Sequence, residues 1–222
     1  MYRWILALAV AACCFVQRPL PAAVISRDWK TPGDGLLTYD DVNQREWLDL
    51  TESRIASFPG TTFQQRIENA VAELQPGGKF ESFKQAKTLD LRAFSSSAGI
   101  DIDSLDFAKN QSPTTILIDL VGASVRNVGL VQSYGFLDEP AMIGSLPNVG
   151  MLSVDPDTAT TGRAGLYFGI PGDLATSANT GLWLYRVVPE PQSGTCLSIL
   201  VALELLMCRA LTKRQRCKSS AN

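Results

Sequence analysis

"GDGLLTYDDVNQREWLDLTESR", Gly33 to Arg54, is the stretch from which the fold class is read. Leu36, Leu37, Thr38 and Tyr39 suit a short strand, and Asp40 to Gln44 is rich in turn formers. Glu46 to Leu50 suits a second strand, anchored by Trp47. The stretch is therefore expected to form an antiparallel hairpin.

Helical grammar follows it. Phe63, Ile67, Ala70, Val71 and Leu74 fall on one face of a 3.6-residue period. Thr61 or Thr62 can cap that helix, and Pro76-Gly77-Gly78 stops it. "KFESF" reads as an edge or turn segment with Phe80 and Phe83 inward. A second helix, capped by Thr88, carries Leu89, Leu91, Phe94 and Ala98, with Gly99 just past its end. A third is expected to start at Ser112 and Pro113, to hold Ile116, Leu117, Leu120 and Val121, and to end near Gly122. From Asn127 onward short apolar or alternating runs are separated by Gly, Pro, Asp and Asn, which is antiparallel strand grammar. The expected architecture is α+β: a hairpin and about three helices, then a meander whose last strand leads into Pro189.

The 222 residues allow one ordinary domain with short flanking segments. Residues 24 to 188 hold 13 Lys and Arg against 20 Asp and Glu, and the two ends are basic. An acidic middle argues against nucleic acid, whose phosphates need Lys and Arg. The chain has no histidine, and its five cysteines, Cys13, Cys14, Cys196, Cys208 and Cys217, lie in the apolar ends. That removes His-dependent triads, Cys nucleophiles, Cys-based metal sites and a disulfide framework from the middle domain.

Both ends carry membrane signals. Residues 1–23, "MYRWILALAVAACCFVQRPLPAA", have the basic start, short apolar run and small-residue end of a cleavable signal peptide. An uncleaved anchor and a lipoprotein signal at "VAAC" are the alternatives. Near the other end, Thr195 to Leu211 is apolar apart from Glu204 and Arg209. At 1.5 Å per residue such a helix spans about 25 Å, just short of a hydrocarbon core. An ionised Glu204 near its middle costs about 2–3 kcal/mol, so the anchor is marginal. Arg209, Lys213, Arg214 and Arg216 stay cytoplasmic and place the domain outside.

The order Pro189-Glu190-Pro191, spacer, marginal helix and basic cluster resembles the PEP-CTERM sorting signal of bacterial exported proteins, over residues 188 to 218, "VPEPQSGTCLSILVALELLMCRALTKRQRCK". The resemblance implies an exosortase-type transpeptidase as partner, which cuts near Pro-Glu-Pro after the helix has held the protein in the membrane. Pro189 and Pro191 favour an extended strip without backbone donors, a shape such an enzyme can bind.

The domain is similar to a passenger type found before these signals, through "GLLTYDDVNQREWLDLTES", "PGGKFESFKQAKTLDLRAFSSSAGI" and "TGLWLYRVVPEP". Ser82-Phe83-Lys84 stands where that type has Gly-Trp-Arg. The passenger is loosely similar to bacterial surface domains of C-type-lectin-like fold, which bears on fold and not on function.

The expectation is a non-enzymatic, exported surface or matrix protein of the cell envelope, associated with exopolysaccharide and without a cofactor. Residues 1–23 are the signal peptide, 24–187 the extracytoplasmic domain and 188–218 the sorting signal. A carboxylate-dependent glycan hydrolase and a permanently tail-anchored glycan-binding module are the other readings. Asp101, Asp103 and Asp106, and Asp155, Asp157 and Thr158, are acidic clusters that match no EF-hand loop. Trp47 and Trp183, with Tyr134, Tyr167 and Tyr185, are candidates for stacking on sugar rings, but both tryptophans sit in apolar strand contexts and are expected to pack in the core.

Overall fold

Leu37, Tyr39 and Leu48 point to one side of the hairpin and Thr38 and Trp47 to the other, so both faces are covered. The computed structural model describes residues 24–140, 147–156, 162–169 and 179–189. The hairpin is β2 (Leu37–Asp40) and β3 (Arg45–Leu48), paired Leu37 to Leu48 and Asp40 to Arg45. At its tip the Asp40 carboxylate accepts the backbone N–H groups of Val42 and Asn43, and Gln44 takes a positive φ of 51°. An unanticipated strand, β1 (Val24–Arg27), adds to the outer edge of β2. The chain turns after Leu48, so Leu50 lies in a 3-10 turn (Leu50–Ser53) and not in the expected strand, because Asp49 caps that turn by accepting the N–H of Thr51.

The first helix, α1 (Phe63–Ala72), starts as read. Thr62 accepts the N–H of Gln65, and Gln65 accepts the N–H of Thr62. Phe80 and Phe83 point inward. After β4 (Lys84–Gln85), α2 (Thr88–Ser97) begins with Lys87, not Thr88, at its cap. The Thr88 side chain turns instead to Glu139, and Asp90 accepts the N–H of Lys87. The third helix, α3 (Phe107–Val121), starts at Phe107 and not at Pro113 as the Ser-Pro reading predicts, so Pro113 is interior. Asp106 caps it by accepting the N–H of Lys109. The buried Asn110 side chain binds the N–H of Asp101 and the carbonyls of Asp101 and Ser104, which secures the turn before Pro113.

Strands β5 (Val125–Arg126), β6 (Val131–Pro140), β7 (Pro147–Asp155) and β8 (Arg163–Phe168) form the expected antiparallel meander, and β9 (Gly181–Leu182) runs parallel beside β6. The last strand corrects the expectation: β10 (Leu184–Val187) leaves the meander and enters the other sheet, whose order is β1-β2-β3-β10-β4. Fully buried Leu184 and the pairing on both edges hold it there.

Trp183 makes this change of sheet possible. Its N–H donates to Phe136 of the meander at 3.1 Å, and its carbonyl accepts from Ala86 at 2.8 Å. Its indole N–H donates to the Gly150 carbonyl at 2.8 Å. Gly135 and Gly150 are paired across β6 and β7 beneath the ring. A Cβ at Gly150 would lie 2.3 Å from Leu91 Cδ2 and 3.3 Å from the indole nitrogen, so any larger residue there has to push Leu91 aside. Around this joint Trp47 stacks on Phe94 at 4.3 Å, and a second cluster gathers Phe80, Phe136, Leu37 and Leu184.

The register fixes where the chain enters and leaves this domain. Val24, Asp40, Arg45 and Val187 form one row across β1, β2, β3 and β10. Entry and exit therefore share one end of the sheet, three strand spacings or about 14 Å apart. The loop from 28 to 36 lies at the opposite end. The chain divides into two compact units, Met1–Val187 and Val188–Asn222.

Candidate functional site

At the exit end, Val187 is 59% exposed and Pro189 is exposed. Just before it, Glu46 of β3 is the most enclosed carboxylate among the ion pairs. Its Oε1 accepts from Arg27 of β1 at 3.1 Å, and its Oε2 accepts from Arg186 of β10 at 2.8 Å. The guanidinium of Arg27 also lies 3.5 Å from the centre of the Tyr39 ring. This triad ties the first strand to the last. Both carboxylate oxygens are engaged by guanidinium groups, which suits fastening rather than proton transfer.

Of the sequence-derived sorting residues, Pro189 is placed. Glu190, Pro191, Arg209, Lys213, Arg214 and Arg216 lie outside the described residues, as do the signal segment 1–23 and the apolar segment 195–211. Among the described residues no helix is long and apolar enough to cross a membrane.

The acidic cluster does not converge. Asp101 pairs with Lys109, and this hydrogen bond, helped by the N–H of Asp103, holds its carboxyl below the usual range while Lys109 is pushed up in return. Asp103 pairs with Arg92 at 2.9 Å, and Asp106 caps α3. Asp155 faces Arg163 in the β7–β8 register, and Asp157 and Thr158 lie outside the described residues. Among the described residues no group of three or more acidic, His or Cys side chains could hold a metal ion.

The two strand tryptophans are core, as their apolar contexts predict. Trp47, Trp183 and Tyr134 are fully buried, because they fill the joint between sheets and helices. Tyr185 is half-buried under Arg45, whose guanidinium lies 4.4 Å from the ring centre. Tyr167 is half-buried, and burial pushes its phenol up.

The tryptophan that reaches solvent among the described residues is Trp29, which strand and helix grammar passes over because it sits in a loop, "DWKTPGDG", Asp28 to Gly35. Its signal was available: a large aromatic among turn formers has no strand or helix face to explain it. The Asp34 carboxylate organises the loop. Its Oδ1 accepts the N–H groups of Trp29 (2.9 Å) and Leu36 (3.2 Å), and its Oδ2 those of Lys30 and Thr31 (2.9 Å each). These bonds, that from Thr31 foremost and that from Trp29 next, hold the carboxyl far below its ordinary range. Asp28 accepts the N–H of Gly35 at 3.0 Å, and Gly33 and Gly35 have positive φ, which glycine adopts without strain. Behind the loop, Trp29 stacks on Phe80 at 6.1 Å and meets the edge of Phe83 at 5.8 Å. Lys30 Nζ lies 3.8 Å and Lys79 Nζ 5.9 Å from the indole centre.

Comparison with protein-family models, with curated proteins and with solved structures returned no match.

Proposed function

We propose that the chain is a non-enzymatic exported protein of the bacterial cell surface or extracellular matrix. A signal peptide over 1–23 exports it, and a PEP-CTERM-like signal over 188–218 retains it. An exosortase-type enzyme is the partner that reads Pro189-Glu190-Pro191. The helix 195–211 is a temporary anchor, Arg209, Lys213, Arg214 and Arg216 set its orientation, and the released domain, C-type-lectin-like in type, associates with exopolysaccharide.

The observation that carries this reading is the position of β10. The strand pairs with β3 through Val187 and with β4 at Leu184 and Tyr185, and Val187 and Pro189 are exposed. A cut beyond Pro189 would thus leave the whole of β10 in the domain. Entry at Val24 on the same end of the sheet adds support, since a domain whose two flanking segments enter one membrane needs both ends on one side.

The test replaces Glu190, Pro189 and Pro191 by alanine in the native host. The expected result is export with an intact tail, read as retention in the membrane fraction at unprocessed mass. Normal release of that variant would sink the sorting role.

A further inference from the structure

The loop at the far end from the chain's entry and exit has the makings of a ligand site. An exported domain held at its Val24/Val187 end turns the 28–36 loop away from the attachment. The indole there does not wander, because Phe80 and Phe83 brace it from behind and Asp34 fixes the backbone on both sides of it. The two acids of the loop bind its backbone: Asp34 accepts four N–H groups, and the exposed Asp28 accepts that of Gly35. The exposed ammonium of Lys30 enters no ion pair among the described residues and rests over the ring. Lys79 lies farther out, 5.9 Å from the indole centre and 4.9 Å from that of Phe80, and is held by the Glu52 carboxylate at 3.2 Å and the Glu52 carbonyl at 3.0 Å. A braced aromatic with an unpaired ammonium over its face suits a ring that is apolar on one face and negatively charged at its rim.

We propose that Trp29, Lys30 and Lys79 form a binding subsite for an anionic polysaccharide, with the indole stacked on a sugar ring and the ammonium groups meeting its carboxylate. This deepens the association with exopolysaccharide proposed above and rests on that reading. An exposed cation–π contact is weak, so Lys30 can exchange the ring for a carboxylate as the sugar arrives. A single subsite of this size binds weakly, and the repeats of a polymer raise the apparent affinity without new contacts.

The probe is tetragalacturonate, with maltotetraose as the neutral control. Calorimetric titration would use the full chain in a detergent without sugar headgroups. The expected result is binding of the uronate alone, with a dissociation constant around 1 mM that rises with salt. Trp29→Ala is expected to weaken it about 10-fold or more, and Lys30→Gln about 3-fold. Lys30 is exposed, and its side-chain contact is with the Trp29 ring, so an unchanged melting temperature for Lys30→Gln keeps the test independent of folding. No uronate binding, equal binding of the neutral oligomer, or unchanged affinity in both variants would overturn the proposal. Terminal processing in the native host reports on sorting and this titration on the loop, so each can fail without the other.

Discussion

Removing the tail after Pro189 should leave the domain's stability untouched, whereas removing six residues more should abolish it. A chain ending at Trp183 loses β10. Leu184 is fully buried, which contributes about 2–3 kcal/mol. The strand pairs at three positions with β3 and two with β4, and its backbone hydrogen bonds contribute about 1 kcal/mol each. Arg186 leaves Glu46 with Arg27 alone, and breaking a buried pair costs about 3–5 kcal/mol, less here because the arginine is 31% exposed. Together these reach about 7–10 kcal/mol, comparable to the whole stability of a domain. Near-UV circular dichroism on heating distinguishes the two truncations. The chain ending at Pro189 should melt within about 2 °C of the full chain, a shift below 1 kcal/mol, and the chain ending at Trp183 should show no cooperative transition. A tail-less chain that melts far below the full one would refute the claim that the fold closes at Val187.

Two further outcomes follow from particular contacts. Gly150→Ala should destabilise by about 1–3 kcal/mol, because its Cβ would meet Leu91 at 2.3 Å and crowd Trp183, and denaturant titration checks it. The Asp34 carboxyl is depressed in the fold, so its stabilisation is fully present above its ordinary pKa of about 4 and is lost as pH falls from there through the folded value. The urea midpoint of Asp34→Asn should therefore lie below that of the parent at pH 7 and approach it in strong acid. A difference that stays constant with pH would contradict the role given to Asp34.

What was legible in the sequence is local. The β2–β3 hairpin, the Thr62–Gln65 cap and the helix period of α1 each depend on residues a few positions apart, and periodicity and turn chemistry report such features directly. What was not legible is decided at long range. β1 is four residues with two exposed, and it is a strand because β2 offers an edge. Ser112-Pro113 has the local look of a helix start, yet Asp106 and the Asn110 bonds to the 101–104 turn win the boundary. Gly135 and Gly150 sit inside apolar runs with nothing local to mark them, yet both clear the slot that Trp183 occupies. Trp183 fills that slot and Trp47 stacks on Phe94, so both are core, whereas Trp29 lies in a turn-rich loop and reaches the surface.

The most direct test of the account is the mass of both termini of the protein isolated from its own cells. The account predicts that the segment before Val24 is gone and that a new C-terminus lies near Pro191. Recovery of peptides carrying Lys213 to Lys218 on the mature protein would contradict it and make the chain a permanently anchored one.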